Sequence, residues 1–164
     1  MGKMNKLRVI PLGGVQEIGK NITVFEYKED IVVVDCGIMF PEDDMLGIDV
    51  VIPDFRYLME NIHKVRGLVL THGHEDHIGA VPYFLKEINV PVFGTALTLG
   101  LLEYKLDDHD LIGSTDLNVV EAGDSIRLGS FEVEFINSNH SIADSTALAI
   151  KTPVGVVIHT SDFK

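Results

Sequence analysis

The sequence is short of cysteine, of basic residues and of long apolar runs. Cys36 is the sole cysteine in 164 residues, so no intrachain disulfide can form and no thiolate cluster can hold a metal. Any metal must be bound by histidine and carboxylate. Lys and Arg number 13 against 25 Asp and Glu, a formal net charge of −12. That balance argues against a broad basic surface that grips nucleic acid unaided, and taken alone it favours a small or uncharged substrate. The charge is weak evidence, because acids that ligate metal count in the total, and two bound dications would return about +4 to one cleft. The start, Met1-Gly2-Lys3-Met4-Asn5-Lys6-Leu7, runs directly into an alternating pattern without the apolar stretch of a signal peptide or membrane helix. A cytoplasmic protein without membrane contact is expected. Repeats, low-complexity segments and linkers are also lacking. A length of 164 residues, 46% hydrophobic and 23% charged, suits one globular domain with a real core.

Short β-rich runs come first: Leu7 to Pro11, Ile22 to Tyr27 and Ile31 to Asp35. Turn-prone Gly13-Gly14 and Lys28-Glu29-Asp30 separate them, so they read as adjacent antiparallel strands. Beyond the polar loop Phe40-Pro41-Glu42-Asp43-Asp44, a helix is predicted from Asp54, its N-cap, to a close at Gly67. Leu68-Val69-Leu70 reads as a buried strand leading into a histidine-rich stretch at 72–77 and a helix carrying Val81, Phe84, Leu85 and Ile88. Pro82 fits only a first helical turn, so that helix begins near Ala80 or Val81 and leaves the histidines in the loop before it. A second helix is predicted from Thr95 to Leu106. Strands follow at Asn118 to Glu121, Ser125 to Leu128, Phe131 to Ile136, Thr146 to Lys151 and Val154 to His159. This order describes half of an α/β sandwich with helices on one face of each sheet. Asp162-Phe163-Lys164 follows directly on a strand without tail composition, as in a chain cut inside a larger fold.

Four potential ligands fall within six positions in Thr71-His72-Gly73-His74-Glu75-Asp76-His77, an HxHxDH pattern at the exit of a buried strand. In an extended segment His72 and His74 point to one side. Asp76 and His77 lie where the chain turns into the helix and can converge on a neighbouring point. Two later residues, His140 and Asp162, each sit just past a strand end, where rigid strands fix ligands and loops leave room for substrate. His72, His74 and His140 are assigned to one metal and Asp76 and His77 to a second, with Asp162 as the bridging carboxylate. Asp76, His77 and Asp162 are also the candidate catalytic residues. Any one of these histidines alone would read as a surface loop residue, but the combination matches a hydrolytic metal site. Imidazole and carboxylate favour Zn2+, with Mn2+ or Mg2+ as alternatives. Two such ions would acidify water from a pKa of about 15.7 towards 7 and clamp a phosphodiester.

Other features carry blander readings. Gly13-Gly14 to Gly19 lacks the GxGxxG spacing of a dinucleotide loop and reads as a tight turn near the cleft, with Glu17 and Asn21 as supports. His63 suits a helix C-terminus, His109 reads as solvated, and Cys36 reads as core. Ser141 and Ser145 shape a turn. His159, three residues before Asp162, is assigned a supporting rather than a ligating role.

HGHEDH at 72–77, His140 and Ser161-Asp162-Phe163 together resemble the metallo-β-lactamase superfamily, which implies a hydrolase. LGGVQEIGKN at 12–21, FPEDDMLGIDVVIPDFRYL at 40–58 and NSNHSIADSTALAIKTPVGVVIHTSDFK at 137–164 resemble the ribonuclease J family of its β-CASP branch, over essentially the whole chain. The resemblance implies an αββα sandwich, of which residues 1–164 are the N-terminal portion, one metallo-β-lactamase domain truncated before the β-CASP insertion. It implies metal-dependent hydrolysis of single-stranded RNA, 5′-to-3′ exonucleolytic and endonucleolytic, in RNA maturation and decay, and a homo-oligomeric full-length protein. It also implies that Asp35 orders the histidine loop without ligating. Members of the family are longer, with a further ligand histidine and an RNA channel beyond this segment, so the chain alone is expected to be weakly active or inactive. Two readings compete with this one. One is a small-molecule hydrolase of the same superfamily, such as a thioesterase or lactonase; the other is a non-catalytic metal-binding or assembly module.

Overall fold

A computed structural model describes residues 5–164; the expected leaderless start at Met1-Gly2-Lys3-Met4 lies outside them. Strands β1 (Leu7–Gly13), β2 (Ile22–Tyr27) and β3 (Asp30–Val34) form an antiparallel meander. β4 (Val65–Val69), β5 (Val92–Gly94) and β6 (Leu117–Val119) extend it in parallel into a six-stranded sheet ordered β1-β2-β3-β4-β5-β6. β7 (Ser125–Leu128), β8 (Phe131–Asn137), β9 (Thr146–Thr152) and β10 (Gly155–His159) make a second, wholly antiparallel sheet ordered β10-β9-β8-β7.

Alternation along the strands builds two cores. In β3, Ile31 and Val33 join the helices while Val32 and Val34 face the second sheet, which is why the strand reads as an unbroken apolar run. In β8, Phe131, Val133 and Phe135 point inward and Glu132 and Glu134 are partly exposed, the pattern of a sheet with one wet face. The helices are α1 (Arg56–Glu60), α2 (Glu75–Ile78), α3 (Val81–Glu87) and α4 (Ala96–Asp108). Leu58, Ile78, Val81, Phe84, Leu85, Leu99, Leu102 and Leu106 of these helices belong to the core on the outer face of the six-stranded sheet. Among the described residues no helix covers the four-stranded sheet, so the helical cover expected on both sheets is present on one. No described helix is long and apolar enough to cross a membrane.

The predicted helix from Asp54 to Gly67 is instead α1, a 3₁₀ turn at Ile62–Lys64 and most of β4. Asp54 does accept a hydrogen bond from the Arg56 backbone at 2.9 Å, but Gly67 lies inside β4. A Cβ there would stand 3.2–3.3 Å from Pro91 O and the Leu128 and Phe93 side chains, so this glycine serves strand packing and not helix termination. β5, three residues long, was not anticipated. Glu75–Ile78 forms a helical turn where a loop was expected, whereas Pro82 sits in the first turn of α3 as predicted. Thr95 precedes α4 in extended conformation; its hydroxyl donates to Asp144 O at 3.1 Å and ties the helix to the loop that carries His140.

Phe135 is fully buried between the sheets. Phe135→Ala should lower unfolding free energy by about 3–5 kcal/mol in urea titration; a loss under about 1 kcal/mol would contradict this packing.

Candidate metal centre

Asp35 sits where β3 ends, 2% exposed and in the left-handed region at φ 59. Its Oδ1 accepts from Thr71 N at 2.8 Å. Its Oδ2 accepts from Thr71 Oγ1 and is 2.8 Å from His77 Nδ1. An ionised carboxylate only accepts, so His77 Nδ1 carries the proton and Nε2 is free to face the cleft. Thr71 Oγ1 has given its one hydrogen to Asp35; it therefore accepts from Ser161 Oγ at 2.8 Å and from His72 Nδ1 at 3.0 Å. His72 is thereby held in the same tautomer as His77, with the Thr71 hydroxyl as the relay from Asp35. Burial, the largest influence on Asp35, opposes its ionisation, but the charge and hydrogen bond of His77 hold its carboxyl below the ordinary range.

The segment after β3 lies along α2 and fixes the ligand-bearing turn by backbone bonds: Cys36 N donates to His77 O at 2.7 Å and Ile38 N to Glu75 O at 3.1 Å. The approach is so close that a Cβ on Gly37 would fall 1.6 Å from Asp76 O. From the other side, Lys105 of α4 pairs with Glu75 at 2.5 Å.

Two groups of metal-ligating atoms result. His72, His74 and His140 form one, and His72, His77 and Asp162 the other, with the ligand atoms of each group within 4.8 Å of one another. In the first, His74 Nδ1 is 3.1 Å from His72 Nε2 and 3.2 Å from His140 Nε2. Two nitrogens bound tetrahedrally to one zinc at 2.0–2.1 Å stand about 3.3 Å apart, so the spacing suits a shared cation. In the second group, Asp162 Oδ2 is 3.5 Å from His77 Nε2 and 3.6 Å from His140 Nε2, and thus lies between the groups. Asp76 Oδ2 stands 3.6 Å from His77 Nε2, outside the tighter cluster. Asn21 Nδ2 is within 3.1 Å of Asp76 O, Asp76 Oδ2 and His77 Nε2. A cavity of about 350 Å³, lined by Gly14, Asn21, Asp35, His77, His159 and Asp162, opens beside this second group.

Four other residues singled out above are also placed. The His159 ring meets Phe25 edge-on at 6.2 Å, and its buried Nδ1 has no partner among the described residues. Ser145 donates to Ile142 O at 2.9 Å, a turn role as expected. Cys36 is buried core, its thiol pushed up by that burial. His109, expected to be solvated, instead packs on Tyr83 at 5.0 Å with Nδ1 3.0 Å from Lys86 Nζ. The sequence reading missed Thr71 and Ser161; the one signal was their position beside His72 and Asp162.

The field of the site is uneven. Burial, then the charge of His77, pushes His72 down to about 4, so its ring is neutral and its Nε2 lone pair available. Burial also opposes a charged His77, but Asp35, with Asp76 and Asp162 beyond it, overrides that and raises it to about 9. Carboxylates that favour a proton here favour a metal cation for the same reason, and the two compete for Nε2. Without metal, the folded chain holds the His77 proton more tightly than the unfolded chain, whose value is near 6.5. The stability this contributes is full below pH 6.5 and is lost as pH rises through about 9. His72 acts oppositely, withdrawing stability as pH falls from 6.5 towards 4. The metal-stripped chain should therefore show a falling Tm between pH 6.5 and 9 in thermal scans; a rising Tm across that window would contradict the assigned field.

Comparison with known proteins identifies the family and the fold. The metallo-beta-lactamase superfamily model matches residues 16–159. Ribonuclease J of Synechocystis sp. is 52% identical over 96% of this chain and 25% of its own length. Ribonuclease J of Thermus thermophilus is 46% identical over 99% and 30%. Ribonuclease J2 of Bacillus subtilis is 49% identical over 96% and 28%. The chain thus spans between a quarter and three-tenths of these relatives. A crystal structure of a protein of unknown function from Enterococcus faecalis superposes with a TM-score of 0.76 at 19% identity, covering 96% of this chain and 44% of that one. A diphosphatase of the PhnP family superposes at 0.55 and 20% identity, covering 80% and 49%; both show the fold. The His/Asp cluster and the matched family together indicate divalent-metal binding, and the chain belongs to the metallo-β-lactamase superfamily.

Proposed function

We propose that this chain is the metal-holding part of a ribonuclease that hydrolyses phosphodiester bonds of single-stranded RNA, 5′-to-3′ and internally, in RNA maturation and decay in the cytoplasm. The observation that carries the RNA reading is identity of 46–52% to three ribonucleases J across nearly all of this chain. The paired donor groups sharing His72 supply the chemical reason. His72, His74 and His140 are assigned to one cation; His77, Asp76 and Asp162 to a second, with Asp162 between them. The nitrogen-rich first group favours Zn2+, and Mn2+ or Mg2+ is the alternative where carboxylate predominates. When bound, the ions supply Lewis acidity and lower the pKa of water towards about 7. The chain's own residues prepare that chemistry. Asp35 and Thr71 fix the His72 and His77 tautomers, Asp162 sets a negative charge between the groups, and Glu75 with Lys105 holds the ligand turn in place.

The whole enzyme would be a homo-oligomer, and the rest of the RNA surface would come from sequence beyond that present here, which accounts for the acidic charge of this part. A net charge of −12 also suits a small-molecule hydrolase of the same superfamily, the second reading.

Zn2+- or Mn2+-loaded chain incubated with 5′-labelled single-stranded RNA should cleave slowly or not at all, far below a full-length relative assayed in parallel, with any cleavage abolished by a chelator and by His74→Ala. Cleavage that survives metal removal, or turnover equal to that relative, would contradict the assignment. Rapid hydrolysis of a lactone or thioester with RNA untouched would establish the second reading.

A further inference from the structure

The LGGVQEIGKN segment takes no part in the ligand sets, yet its last residue reaches into one of them. Asn21 is anchored by its backbone: its N–H donates to Asp76 O at 3.1 Å and its carbonyl accepts from Gly37 N at 3.0 Å. Its side chain is free of that work. The amide nitrogen has two protons and faces two carbonyl and carboxylate acceptors, Asp76 O at 3.0 Å and Asp76 Oδ2 at 3.1 Å, and stands 3.1 Å from His77 Nε2. The latter two are atoms through which Asp76 and His77 would hold a cation. The turn is shaped to admit the amide. Gly14, at φ 79, lies so close that a Cβ would stand 2.5 Å from Asn21 Oδ1, which explains a glycine that the ligand assignment leaves unused.

The first group is different. Among the described residues, the converging nitrogens of His72, His74 and His140 have hydrogen-bond contacts only with one another, so no amide or hydroxyl donor stands in for the ion there.

We propose that the Asn21 carboxamide competes with the second cation: its N–H donor occupies Asp76 Oδ2, beside His77 Nε2, until the ion displaces it, and the two positions consequently fill in order, His72/His74/His140 first. This rests on the two-cation reading given above. Displacement is inexpensive for the rest of the turn, because the backbone bonds of Asn21 persist and Asp76 O remains as an acceptor for the released amide.

The test is calorimetric titration of Zn2+ into the metal-stripped 164-residue chain, with bound zinc counted by elemental analysis. The native chain should show one tight and one weaker event. Asn21→Ala removes the competing donor and leaves the backbone anchors, so the second event should tighten about tenfold, the order expected for one charge-assisted hydrogen bond released from competition. The first event should stay unchanged. Asn21→Ser, whose shorter side chain falls short of Asp76 Oδ2, should behave alike and carries the test if the alanine variant does not fold by circular dichroism. A second event that weakens would show that Asn21 supports the ion by holding Asp76, and one that stays the same would show a purely structural amide; either overturns the proposal. If no zinc binds to the native chain, the two-cation reading falls with it, whereas intact two-site binding that is indifferent to Asn21 removes this inference alone.

Discussion

The site depends on one buried carboxylate. Asp35 accepts three hydrogen bonds, from Thr71 N, Thr71 Oγ1 and His77 Nδ1, and through Thr71 it also determines which nitrogen of His72 is protonated. Without that anchor a histidine-rich turn would have no reason to present two Nε2 lone pairs to the same cleft. The cost of burying a charge at 2% exposure is offset by these charge-assisted bonds, and the result is a rigid, anionic floor beneath a cluster of ring nitrogens.

The fold serves that floor. β3 and β4 run parallel and adjacent, so their ends deliver Asp35 and Thr71 side by side. β10 ends opposite them on the second sheet, bringing Ser161 within 2.8 Å of Thr71 Oγ1 and Asp162 within reach of His77. The inter-sheet core of Phe25, Val34, Phe135 and Leu148 keeps the two strand ends at the distance a cation cluster needs. Packing energy and site geometry are therefore coupled, because a shift of one sheet against the other would move Asp162 and His140 relative to the HGHEDH turn.

Much of this was legible in the sequence and some was not. Strands with clear period-two patterns, such as β8 with Phe131, Val133 and Phe135 inward, were readable because one face is wet. The ligand candidates were readable because HxHxDH places metal-binding residue types at a spacing with few other uses. The helix ending at Gly67 was misread because a glycine packed against a neighbouring strand looks, in sequence, like a helix stop. Helical cover on the second sheet was expected from the architecture and not from any residue pattern. The hydroxyls of Thr71 and Ser161 were invisible for a different reason: their role exists only when three strand ends far apart in sequence meet, and no local pattern encodes that meeting.

The central claim, that Asp35 fixes the ring tautomers so that lone pairs converge on cations, is most directly tested by long-range 1H–15N NMR of the histidine rings in the zinc-loaded chain. The account predicts Nδ1–H tautomers with metal-shifted Nε2 for His72 and His77, and metal-shifted Nδ1 for His74. Protonated Nε2 on His72 or His77, unmoved by zinc, would contradict it.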